Sequence, residues 1–146
     1  MGEDGRIMTP NKYHAKKTTV DGILFDSHAE AKYYIGLKLL RDAGEIIEIE
    51  CHPKYVFQPA YRKCCGTIHH GKDEMHAPSK DLCSACGKKM KAESALYYEA
   101  DFRVTYADGH QEVVDVKGVR TRAFERSRKM FEYRYPHLTL RIVKVH

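Results

Sequence analysis

Nowhere in its 146 residues does this sequence hold an apolar run long enough to span a membrane, and no signal-peptide-like apolar core stands near its start. A cytoplasmic location and no membrane partner are therefore expected. Internal repeats and low-complexity tracts are also lacking, which argues for one domain at this length, burying roughly two-thirds of its chain surface. Acidic charge is not in excess: 25 Lys and Arg against 20 Asp and Glu leave a formal charge of +5 and a pI near 8.9. That balance favours a polyanionic partner over an acidic one. Cysteine is sparse and odd in number, five in all. Cys83-Ser84-Ala85-Cys86 in a cytosolic chain reads as metal ligation before disulfide.

What is present divides into segments. Residues 1–17 carry Arg6, Lys12, Lys16 and Lys17 with little apolar content and read as a flexible basic arm, leaving 18–146 as the folded domain. Thr18-Thr19-Val20 and Ile23-Leu24-Phe25 flank an Asp21-Gly22 turn, a short hairpin signal. A helix follows, capped by Asp26 or Ser27, running over Ala29 to Ala43 and ended by Gly44. Glu30 shares a stripe with Tyr34 and Leu37, so its side chain is expected to point to the core. Ser27-His28-Ala29-Glu30 equally fits a capping box, in which Glu30 would only bond the backbone of Ser27.

Two strands, Ile46 to Ile49 and Tyr55 to Phe57, are expected across His52-Pro53, with Cys51 and His52 structural. From about 61 to 92 the chain turns polar, holds four of the five cysteines and loses any strand or helix period, which marks an insert. Thr121 to Tyr135 reads as a second helix stopped by Pro136. Its surroundings are basic, with Arg120, Arg122, Arg126, Arg128, Lys129 and Arg134 against Glu125 and Glu132. Leu138 to Val145 alternates as a final strand. Helix, several antiparallel strands, helix and strand add up to an α/β arrangement on a mixed sheet.

The chain centres on Tyr97 to Phe102 and Val113 to Gly118, two β-prone runs expected to pair as a hairpin about Asp108-Gly109. Asp115 and Lys117, at i and i+2, share a face. Val113, Val114 and Val116 make that strand apolar on both sides, as in a strand buried within a sheet. Asp101, Asp115 and Lys117 are costly there unless they hold one another or a metal. On a solvated face they would be ordinary surface charges.

In the insert, Cys86-Gly87 has the form of a zinc-knuckle turn, and four thiolate or imidazole ligands can fold a coreless loop. Cys83 and Cys86 supply two. The others come from Cys64, Cys65, His69, His70 and His76, with Cys65 favoured and then Cys64 or His69, because adjacent cysteines are awkward ligands for one ion. A redox Cys-x-x-Cys is disfavoured, since that motif opens a helix in a βαβ unit. A DNA-reading zinc finger would need a recognition helix that the insert lacks.

At Glu30, Ala100-Asp101 and Asp115-Val116-Lys117 the sequence resembles the PD-(D/E)XK nuclease superfamily, with Ala100 where the motif's proline usually stands. It is most similar to an uncharacterised phage family of that superfamily, through Pro10-Asn11-Lys12-Tyr13, Gly22 to Glu30, and Asp115-Val116-Lys117-Gly118 before a basic helix. The resemblance covers 10–58 and 95–143 and leaves the insert outside. It implies a restriction-endonuclease-like core, an α-β-β-β-α-β mixed sheet, with a small zinc-binding insert.

It also implies a metal-dependent DNA endonuclease working in the host cytoplasm if phage-encoded, with Glu30, Asp101, Asp115 and Lys117 catalytic. Asp101, Asp115, the Val116 carbonyl and Glu30 would ligate Mg²⁺ or Mn²⁺, while Zn²⁺ in the insert is structural. Arg120, Arg122, Arg126 and Lys129 would contact DNA phosphates. A homodimer is the expected partner state for paired nicks. The small size favours a branched junction over a sequence-defined site. An HNH nuclease is disfavoured, because it needs an asparagine among histidines, and Asn11, in the arm, is the chain's one asparagine. The non-enzymatic alternative is a zinc-stabilised nucleic-acid-binding module.

Overall fold

The two-residue turn Asp21-Gly22 takes positive φ at both positions, 52° and 75°, the conformation that suits the twist of a tight hairpin. It joins β1 (Thr18–Val20) to β2 (Ile23–Phe25), antiparallel. These belong to a computed structural model that describes residues 16–145, so all of the expected arm except Lys16 and Lys17 lies outside the described residues. The chain divides into two units, one ending at Ile46 and one beginning at Ile47.

In the first unit, α1 (His28–Asp42) starts where the Ser27 hydroxyl accepts the Glu30 N–H at 3.1 Å. Gly44 follows its end at φ 83°. Glu30, Ala31, Tyr34 and Leu37 form its buried stripe, and Tyr34 packs on Phe25 with ring centroids 5.1 Å apart. Asp21 Oδ2 ties hairpin to helix by accepting from Lys38 Nζ at 2.5 Å and from the Tyr34 hydroxyl at 3.3 Å.

The remaining elements, in order, are β3 (Ile46–Cys51), β4 (Lys54–Gln58), β5 (Tyr61–Cys64), β6 (Thr67–His70), β7 (Ala92–Glu93), β8 (Leu96–Glu99), β9 (Phe102–Tyr106), β10 (Gln111–Lys117), α2 (Arg122–Arg134) and β11 (Thr139–Lys144). One sheet runs β11-β10-β9-β3. It is mixed, β10 pairing antiparallel with β9 and parallel with β11. The parallel pair requires a crossover, which α2 supplies. The architecture is thus mixed α/β, with two helices and several small sheets.

The expected central hairpin is corrected in one respect. Tyr97 to Phe102 is not one strand: β8 pairs with β4, while β9 alone forms the hairpin with β10. The break falls at Ala100-Asp101, whose backbone is engaged by two different segments. The Ala100 N–H donates to the Pro53 carbonyl at 3.1 Å, and the Asp101 N–H to Val114 at 3.1 Å. Alternation of residue types cannot show such a change of partner.

Phe124 and Phe131 bury one face of α2 with Tyr55, Tyr98, Ala100 and Val113. Tyr55 and Phe131 meet edge to face, centroids 4.9 Å apart. Val113 and Asp115, two apart on β10, stand on the same face of that strand. Asp115 therefore emerges in line with this core, and it is 1% exposed.

The insert is also more regular than its sequence suggests. Instead of lacking strands it forms the sheet β6-β5-β7. Its pairing continues the β4–β8 ribbon, from Tyr55↔Tyr98 through Gln58↔Leu96 to Tyr61↔Glu93 and Arg62↔Ala92. Hydrogen bonds do here what an apolar core does elsewhere: Arg62 donates through Nε to the Pro78 carbonyl and through Nη1 to the Met90 carbonyl, both at 2.7 Å.

Candidate active site and candidate metal centre

The register of β9 and β10 pairs Val114 with Phe102. That pairing ends there, and the Asp101 N–H donates to the Val114 carbonyl at 3.1 Å, which holds Asp101 beside the last residues of β10. Asp101 Oδ2 accepts the Val116 N–H at 2.6 Å. Asp115 Oδ2 accepts a hydrogen bond from the Tyr98 hydroxyl. Lys117 Nζ lies 3.1 Å from Asp115 Oδ1, within ion-pair range but without hydrogen-bond alignment. The same ammonium sits 4.9 Å from the centroid of the Phe124 ring, a cation–π contact that holds it at the start of α2.

Burial, followed by the neighbouring Asp115 charge, pushes the Tyr98 phenol far above its usual 10. Tyr98 is therefore a neutral donor throughout the physiological range. Sequence reasoning missed it. Its one signal in the sequence is its place two residues before Ala100, in the β-prone run from Tyr97 to Phe102.

Asp101, Asp115 and Lys117 are brought together in the second unit, and Glu30 lies in the first, buried on α1. Of the four residues expected to contact phosphate, Arg120 donates to Glu125 at 2.6 Å. Arg122, Arg126 and Lys129 are exposed, and no ion pair among the described residues engages them.

The insert holds the second cluster. Sγ atoms of Cys64, Cys65, Cys83 and Cys86 all lie within 4.8 Å of one another and could hold a metal ion such as zinc. Cys64 is 3.4 Å from Cys86 and 3.8 Å from Cys65, and Cys83 is 4.0 Å from Cys65. A zinc ion with Zn–S bonds of about 2.3 Å places its tetrahedral sulfurs about 3.8 Å apart, so this set fits.

Adjacent cysteines both join it because they straddle the corner of a hairpin. Cys64 ends β5, while Cys65 and Gly66 take φ of 52° and 70° in the two-residue turn to β6. The positive φ at Cys65 gives its Cα–Cβ bond a direction that extended backbone would not. His69 is outside this four-cysteine group, and so are His70 and His76.

On the other turn, Gly87 at φ 72° sends its N–H to the Cys83 carbonyl at 2.8 Å. Backbone N–H groups of Cys86 and Ala85, aimed at sulfur, bring the Cys83 thiol down to about 7, while hydrogen bonding with Cys86 and then Cys64 pushes Cys65 up to about 12. Of these two thiols, Cys83 is the one whose surroundings favour the thiolate that a metal binds.

Over residues 10–146 the sequence matches the model of a family described as protein of unknown function, DUF1064. The chain belongs to the DUF1064 family. That match runs from one side of the cysteine insert to the other and takes in Glu30, Asp101, Asp115 and Lys117. No curated protein and no solved structure matches this DUF1064 chain.

Proposed function

We propose that the protein is a metal-dependent DNA endonuclease of the PD-(D/E)XK kind, with a restriction-endonuclease-like core and a structural zinc site in its insert. The observation that carries the reading is Asp115: a carboxylate 1% exposed near the end of a buried strand, ion-paired to Lys117 and followed by Val116, whose N–H the Asp101 carboxylate holds. Purely structural strands rarely bury such a group.

The donor set suits a hard cation, since Asp101, Asp115 and the Val116 carbonyl offer oxygen only, with Glu30 as the further acid that the resemblance assigns. When bound, Mg²⁺ or Mn²⁺ supplies charge neutralisation at the phosphate and acidifies a water. The chain does the rest. Tyr98 holds one oxygen of Asp115, which fixes the carboxylate plane and leaves Oδ1 towards Lys117. Lys117, steadied over Phe124, can orient the attacking water and offset negative charge as it develops. Branched DNA such as a four-way junction is the preferred substrate, because little of the chain remains to read a long sequence. A symmetric pair of nicks would need a homodimer.

One observation favours a second reading, a zinc-stabilised nucleic-acid-binding module without catalysis. Tyr98, Lys117 and the Val116 N–H already engage both oxygens of Asp115 and one of Asp101, as a self-contained polar network would.

Incubating the protein with a four-way junction and a linear duplex of matched sequence, with Mg²⁺, Mn²⁺ or chelator, decides between them. The nuclease reading expects metal-dependent cutting that Asp115→Ala lowers on the order of a hundredfold, while binding survives. Tight binding with no cutting under any metal would leave the binding module.

A further inference from the structure

Helical phase sorts the charges of α2 into three faces. Phe124 and Phe131 bury the first. On the flank, Arg128 is bonded to Glu125 at 2.9 Å and to Glu132 at 2.9 Å, and Arg120 takes the other oxygen of Glu125. Both acids of the helix are therefore spent on these two arginines. The third face lies about half a turn from the phenylalanines. It carries Arg122, Arg126, Lys129 and Tyr133 at i, i+4, i+7 and i+11, one straight stripe along the helix. No acid interrupts it, and its three cations are exposed.

Tyr133 is the unexpected member. It is 87% exposed, more than any other large hydrophobic side chain among the described residues, at the end of a stripe that is otherwise cationic. Tyrosine gains nothing from that position in folding, since its ring stays in water. Beside it, Met130 is 42% exposed. The stripe runs about 16 Å at 1.5 Å per residue, a span that takes several successive phosphates of an extended strand.

Three unpaired cations ending on an open aromatic ring are the components of a single-strand platform: the charges follow the backbone and the ring stacks an unpaired base. Duplex DNA offers the same phosphates but keeps its bases inside the stack. We infer that the outer face of α2 binds a single-stranded segment of nucleic acid, with Arg122, Arg126 and Lys129 on phosphates and Tyr133 against a base. This rests on the nuclease reading for the identity of the polyanion, and it deepens that reading by giving the substrate an unpaired stretch. The stripe faces away from the sheet that carries Asp115, so it would hold a flank of the substrate and not the bond to be cut.

The test is fluorescence anisotropy of a short labelled single strand and the matching duplex, in chelator, with the full chain. The triple variant Arg122→Ala, Arg126→Ala, Lys129→Ala should weaken binding to both and flatten the logarithmic salt dependence on the single strand by about two. Tyr133→Ala should cost about tenfold on the single strand and little on the duplex, and Tyr133→Phe should restore it. Equal losses on the two DNAs, or none, for Tyr133→Ala would overturn the assignment. So would tighter binding of the wild type to vesicles of anionic lipid than to the single strand. The two proposals fail separately: no junction cutting with these stripe effects intact sinks only the nuclease, whereas cutting and binding indifferent to the stripe variants sink only this inference.

Discussion

Tyr98 and Asp115, 17 residues apart on strands of two different sheets, are joined by a hydrogen bond from the phenol to a carboxylate oxygen in the protein interior. The bond links the β4–β8 ribbon, from which the insert grows, to the strand that carries the candidate catalytic acids.

Removing that donor should be felt twice. Tyr98→Phe keeps the ring among Tyr55, Phe124 and Phe131 but leaves Asp115 Oδ2 buried without its partner, at a cost of about 1–3 kcal/mol in urea unfolding. Under the nuclease reading it should also lower kcat, by about tenfold, with KM little changed, because the carboxylate loses its fixed plane. Wild-type stability in the variant would show that the bond contributes nothing.

Lys38 gives a pH signature in the first unit. Its ammonium, bonded to Asp21, holds that carboxyl below the ordinary 3.8, and Asp21 in turn raises Lys38 above 10.5. A lowered acid stabilises above its unfolded value and stops doing so as pH falls through the folded one. A raised base stabilises below its unfolded value and stops as pH rises through the folded one. Lys38→Met should therefore melt lower than wild type between about pH 4 and pH 10 and converge with it in strong acid. Both groups are solvent-accessible, so the gap should shrink in high salt. A gap that persists at acid pH would point to lost packing of the lysine stem instead.

Metal removal should act locally. The purified protein is expected to bring down one zinc per chain by elemental analysis, and Cys83→Ser to lose it. Stripping the metal should release amide protection in residues 61–92, where hydrogen bonds and sulfur replace an apolar core, while β9 and β10 remain protected from exchange. Protection lost from both regions at once would show that the insert props up the main sheet.

Much of this was legible in the residues themselves. Ser27 as a cap, Asp21-Gly22 and Asp108-Gly109 as turns, and Pro136 beyond α2 are local signals, and local physics placed those elements within a residue or two. Asp115 and Lys117 on one face followed from the two-residue period of a strand, which the 3.1 Å ion pair expresses directly. Harder to see was anything that depended on a distant partner. The change of neighbour at Ala100-Asp101 is set by Pro53 and Val114, Tyr98 reaches Asp115 only through the packing of two ribbons, and Cys64 joins Cys65 only once β5 and β6 fold into a hairpin. Tyr133 was legible in principle, since its place on the stripe needs only the helical period.

The ribbon that leads into the insert has a practical meaning. Gln58 and Leu96 face each other as paired neighbours, so the chain departs and returns through the same gap a few ångströms wide. A segment attached in this way is a cassette. Cutting out residues 59–95 and closing the gap with Asn-Gly would turn β4 and β8 into an ordinary hairpin, giving a shorter protein with the same strand order around Asp101 and Asp115 and a natural place at which to graft another module.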